Sequence, residues 1–105
     1  MNNEKYNAMK AKHPEWSDEQ IWTAISLDMQ ANATIEKKGG NNINPNDPDI
    51  FTTIVKAAEE WIKVALPIIF ERVKPFFKKL LDNLAVWIQK GWDYVSVLIS
   101  KWNYI

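Results

Sequence analysis

No cysteine occurs in the chain, so disulfides and thiolate metal sites are excluded, and redox chemistry does not reveal its compartment. The single histidine, His13, precedes a proline; a histidine metal site or a serine–histidine pair would have to be built around that one turn residue. Only three glycines are present, Gly39, Gly40 and Gly91, too few and too scattered for a phosphate-cradling loop. Long apolar runs are also missing. The longest, Val64 to Phe70, falls far short of the roughly 18 residues that a membrane span needs, which excludes a transmembrane helix. The opening Met-Asn-Asn-Glu-Lys-Tyr lacks the apolar core of a signal peptide, so the expected location is the cytoplasm or an assembled particle. Neither charge sign dominates: 13 basic residues meet 13 acidic ones. Residues 1–49 carry five lysines against eight acids and residues 50–105 eight bases against five acids, an asymmetry too mild for a dedicated nucleic-acid binder.

What the chain does have is apolar periodicity. Its 105 residues, 47% hydrophobic and 25% charged, are enough for one folded domain. Six tryptophans are unusual at this length. From Phe51 onward an apolar pattern repeats every eleven residues, five times over. One column is Phe51, Ile62, Val73, Leu84, Val95, and the next is Ile54, Ala65, Phe76, Trp87, Leu98. A third is Val55, Leu66, Phe77, Ile88, Ile99, and a fourth Ala58, Ile69, Leu80, Gly91, Trp102. Eleven residues make three turns at about 3.67 per turn, close to a straight α-helix. Residues 50–105 are therefore expected to form a long amphipathic helical segment with one continuous apolar stripe.

The first 38 residues read as a helical hairpin. Glu4 to Lys12 can form a short helix, which His13-Pro14 ends because a residue before proline leaves the α region. Ser17 is a good N-cap for a second helix, Gln20 completes a capping box, and Trp16 and Ile21 are placed as a hydrophobic staple. Asp18 and Glu19 suit the positive end of the helix dipole. Lys37, Lys38 and then Gly39-Gly40 mark its end. Residues 39–49, rich in Asn, Pro and Gly, form the linker, and Asp47, Pro48 and Asp49 can open the long helix. Pro67, Pro75 and Gly91 threaten its continuity, leaving two outcomes: a kinked continuous helix, or shorter helices folded against each other. The expected fold is all-α.

Charges follow the same frame. Glu60, Glu71, Asp82 and Asp93 form a column opposite the apolar stripe, while Lys63 and Lys74 border it on one side and Lys79, Lys90 and Lys101 on the other. Boundary lysines can lay their stems along apolar surface. Over residues 51–102 this pattern is similar to the amphipathic helices of exchangeable apolipoproteins, which also use eleven-residue repeats and proline punctuation. That resemblance implies reversible binding to a membrane surface. Protein packing is the stronger expectation. Val64, Val86 and Val97 fall on the polar face, where a lipid-lying helix wants solvated residues, and Phe70, Leu81 and Trp92 widen the stripe.

Catalytic candidates are thin. Glu59 and Glu60 point roughly 100° apart on a helix and cannot converge on one substrate. Asn32-Ala33-Thr34 matches the glycosylation triplet but falls within a helix. Arg72, Lys74, Lys78 and Lys79 beside Phe76 and Phe77 could meet phosphate, yet Glu71 and Asp82 dilute them. The expectation is a non-enzymatic assembly or adaptor protein with no cofactor and no small-molecule substrate. It would pack against itself or another helical protein, as a homo-oligomer or as a small component of a larger complex such as a viral particle. The alternative is a peripheral lipid-binding protein. The expected interaction surface is Ile69, Val73, Phe76, Phe77, Leu80, Leu84, Trp87, Ile88, Val95, Leu98, Ile99 and Trp102. A continuous helix would carry that stripe over roughly 80 Å, more than the hairpin can cover.

Overall fold

A computed structural model describes residues 3–37 and 47–102, which form six α-helices; no strand occurs among the described residues. In order these are α1 (Asn3–Lys12), α2 (Asp18–Lys37), α3 (Pro48–Ala65), α4 (Pro67–Asp82), α5 (Leu84–Lys90) and α6 (Trp92–Lys101). The chain is all-α. The reading of residues 39–46 as linker lies outside the described residues.

The corner between α1 and α2 forms by local chemistry. Ser17 N–H donates to Gln20 Oε1 at 2.7 Å, and Gln20 N–H donates back to Ser17 Oγ at a longer 3.4 Å. These are the two halves of the capping box. Trp16 and Ile21, the staple pair, are both buried in the core. Gln20 has a second role that its position in sequence did not announce. Its Nε2 donates at 2.7 Å to the carbonyl of Ile99, which also accepts the Trp102 N–H at 3.2 Å. The same Nε2 lies 3.4 Å from the carbonyl of Ser100, so it ties α2 to the last turn of α6. We expect Ser17→Ala to cost ~1 kcal/mol. Gln20→Ala should cost about twice that, because it removes both the return bond to Ser17 N–H and the tie to the α6 carbonyl of Ile99. Thermal melts of the two variants would separate them, and equal shifts would show that the α6 bond contributes nothing.

At the start of α3, Asp47 Oδ1 accepts the Asp49 N–H at 2.9 Å, with Pro48 in the first turn. The C-terminal half is segmented. Pro67 opens α4, and Leu66 before it takes φ −139°, ψ 66°, outside the helical region. Pro75 sits inside α4, which continues through it. Gly91 has φ 79°, a left-handed value that glycine tolerates, and it divides α5 from α6. The break at Asn83 was not foreseen; its side chain donates to the carbonyl of Lys79 at 3.0 Å, which closes the end of α4.

These breaks decide what covers the stripe. The molecule measures 34 × 27 × 25 Å, so no 80 Å rod exists: α3 to α6 fold back and bury the stripe against each other and against α2. Of the twelve residues expected on an open interaction surface, Val73, Phe76, Phe77, Leu80, Trp87, Val95 and Ile99 are buried within this chain. Ile69, Leu84, Ile88, Leu98 and Trp102 are half-buried and pack against that core. Of the two outcomes the prolines left open, the shorter helices folded against each other are what forms, so the excess apolar surface expected of a continuous helix does not arise: the segments cover one another. Aromatic pairs line the interior, with Phe76 edge-on to Phe77 at 6.2 Å and to Trp102 at 5.5 Å. The acidic column Glu60, Glu71, Asp82 and Asp93 is exposed, as its place opposite the stripe requires. No helix among the described residues is long and apolar enough to cross a membrane.

Candidate docking groove

One open feature of the fold lies over α2. Both α1 and α6 pack on that helix, but their backbones do not approach each other. Between them runs a groove of about 460 Å³. Its floor is Ala24, Leu27, Asp28 and Ala31, and one wall is Trp92, Val95, Ser96 and Ile99 of α6. Each set has the spacing i, i+3, i+4, i+7, which is one face of an α-helix. Met9, Lys12 and His13 form the other wall, and Trp16 belongs to the lining as well.

Sequence explains why α1 stops short of closing this space. That helix has little amphipathic character and brings only a few apolar side chains. Tyr6 leans on Trp22 at 5.6 Å and donates its hydroxyl to Asp18, which raises the Tyr6 pKa above its ordinary value, with burial and the Asp18 charge acting the same way. Lys10 Nζ donates to the carbonyl of Trp16 at 2.8 Å. Trp16 is pinned on three sides: its Nε1 donates to Ser100 Oγ at 2.9 Å, its ring stacks on His13 at 3.7 Å, and its carbonyl takes Lys10. His13 is thereby placed as a stacking residue, with Glu15 3.9 Å from its Nδ1.

The other candidates drawn from the sequence fall apart as sites. Arg72 meets Glu19 at 2.7 Å, Lys74 meets Glu71 at 3.1 Å, Lys78 meets Asp82 at 2.6 Å, and Lys79 lies 5.2 Å from the ring centre of Trp102. The basic cluster is therefore largely neutralised by its own neighbours. Burial pushes the Glu19 carboxyl upward, but hydrogen bonding to Arg72, to its own backbone N–H and to Ser17 outweighs that, so it titrates below the ordinary glutamate range. Glu59 borders a second cleft, floored by Phe70, Pro75 and Leu81, with Lys74, Lys78 and Asp82 around it. Among the described residues no cluster of three or more His, Cys, Asp or Glu could hold a metal ion.

One apolar spot stays fully open. Val64 and Ile68 are 74% and 77% exposed at the corner between α3 and α4, inside the longest apolar run of the chain. Val86 and Val97 are also exposed. The groove itself was missed in the sequence. The available hint is an aspartate and two alanines, Asp28, Ala24 and Ala31, on one face of α2.

No family model matches the chain, and no solved structure matches it. Over 100 residues it is 28% identical to an isoleucine–tRNA ligase of Wigglesworthia glossinidia brevipalpis, an alignment covering 89% of this chain and 10% of that enzyme. The chain spans about a tenth of the length of the curated relative it matches, and that likeness does not transfer the ligase's activity.

Proposed function

We propose that this chain is a non-enzymatic helical adaptor, an accessory or structural part of a larger complex, and that it works by receiving a partner's helix. The observation that supports this reading is the cleft of about 460 Å³ over α2 between α1 and α6, edged by the half-buried Met9, Ala24, Ala31 and Trp92. Helix-in-groove recognition uses an apolar face read at i, i+3, i+4 and i+7, and the half-buried edge of this cleft is the surface that such a face would meet. The buried stripe supplies the rigid body on which the groove is held.

A membrane-surface role is the second reading. The exposed Val64 and Ile68 favour it, since a projecting apolar corner can enter the headgroup boundary. Exposed Lys63, Lys74, Lys79, Lys90 and Lys101 would then face anionic headgroups. The two readings part in one set of measurements. On the adaptor reading, a generic amphipathic helical peptide shifts the NMR signals of Met9, Ala24, Ala31 and Trp92, the half-buried residues of the lining, and anionic vesicles leave the protein in solution. Salt-sensitive vesicle binding with unmoved groove signals would reverse the ranking.

A further inference from the structure

Three acidic or basic side chains are partly withdrawn from water. Lys10, Glu19 and Glu59 are half-buried, while every other lysine, arginine, aspartate and glutamate among the described residues is exposed. Lys10 is taken by the carbonyl of Trp16, and Glu19 by Arg72. Glu59 has no ion-pair or hydrogen-bond partner among the described residues. Lys56 and Lys63 stand three before and four after it on α3, where a helical partner would be, yet neither ammonium comes within 4.0 Å.

Glu59 opens onto the cleft of about 480 Å³ formed by α3 and α4. Phe70 and Leu81 are only half-buried there and Pro75 is exposed, so this apolar surface is not consumed by the core. Lys74 and Lys78 also line the cleft, but Glu71 holds the first at 3.1 Å and Asp82 the second at 2.6 Å. Glu59 is the charge left over. We infer that this cleft seats an arginine side chain of another protein, with its guanidinium on the Glu59 carboxylate and its flat face on Phe70. A guanidinium is planar and weakly hydrated, so it can lie on an aromatic ring while its edge donates to a carboxylate. An ammonium is a more strongly hydrated point charge and suits an apolar cleft less well. A fatty acid would bring a second carboxylate to Glu59, and an uncharged chain would cover Glu59 without compensating it. A second copy of this chain has a single arginine to offer, Arg72, which Glu19 already holds at 2.7 Å. The cleft shares no lining residue with the groove over α2, so an arginine here is independent of a helix there.

The test titrates the full chain with three capped tripeptides, Leu-Arg-Leu, Leu-Lys-Leu and Leu-citrulline-Leu, and follows the NMR signals of Phe70 and Leu81. The arginine peptide should bind about tenfold tighter than its uncharged citrulline isostere and about threefold tighter than the lysine peptide. Glu59→Gln keeps the shape of the side chain and should erase the advantage over citrulline, with an unchanged melt. Glu60→Gln, at the exposed neighbour, should preserve it. Phe70→Leu should bring the arginine peptide down to the affinity of the lysine peptide. Equal binding of the arginine and citrulline peptides, or an advantage that survives Glu59→Gln, would overturn the inference. An equal loss in Glu60→Gln would overturn it too, by showing attraction to acidic surface at large. Ethylguanidinium bound as tightly as the arginine peptide would replace the protein partner with a small cation.

Discussion

Phe77→Asp should unfold the isolated chain. Phe77 is 0% exposed on α4, edge-on to Phe76 and within the single apolar core. Removing such a ring alone costs about 3–5 kcal/mol. A carboxylate in its place adds the penalty of a charge without a partner. Together these reach into the roughly 5–15 kcal/mol by which domains are typically stable. Leu84 is half-buried, so Leu84→Asp should destabilise less and leave a folded protein at room temperature. The pair is diagnostic. If the stripe were an open surface joining copies of the chain, both changes would yield dissociated but helical monomers. In the folded-back chain Phe77→Asp loses the helical signal itself. Circular dichroism with light scattering reads both quantities, and a helical, cooperatively melting Phe77→Asp monomer would contradict the internal burial.

Trp16→Ala should have the second largest effect, also about 3–5 kcal/mol. The residue is 2% exposed and joins α2 to the far end of the chain through its bond to Ser100. For a domain of this size each kcal/mol moves the midpoint by roughly 4–8 °C, so a fall of about 15 °C or more is expected. Trp16→Phe keeps most of the apolar contact and loses the indole bond, so it should cost only ~1 kcal/mol. A Trp16→Ala melt no lower than that of Ser17→Ala would mean that the corner is held by its cap alone.

The features that were legible in the sequence are local ones. The Ser17–Gln20 box and the Asp47–Pro48–Asp49 start depend on hydrogen bonds spanning two or three residues, so neighbours in sequence are enough to specify them. None of the residues in the four apolar columns is exposed. Seven of the twelve residues expected on the interaction surface are indeed shielded, but by the chain itself rather than from outside it. Periodicity ranks residues by burial and is silent about the covering agent.

Pro67 and Pro75 show where local reasoning stops. Each removes one backbone donor and crowds the preceding turn, at a similar cost of about 3 kcal/mol. Yet the helix breaks at Pro67 and runs through Pro75. Around Pro75 the helix holds Val73, Phe76, Phe77 and Leu80 buried on one face, and a break there would pull that set apart. At Pro67 a break lets α4 turn back onto α3, which gains apolar contact between the two helices. The difference is a sum over long-range contacts that neither proline encodes. The groove is of the same kind. Met9, Ala24 and Val95 meet around one space because α1 and α6 both rest on α2 without reaching each other. Sequence by itself determined the helical class, the caps and the identity of the water-avoiding side chains, since each follows from interactions within a few turns. Only the tertiary structure decided where the long helix breaks, that its stripe is covered from within, and that a groove remains between α1 and α6, because each depends on packing between segments tens of residues apart.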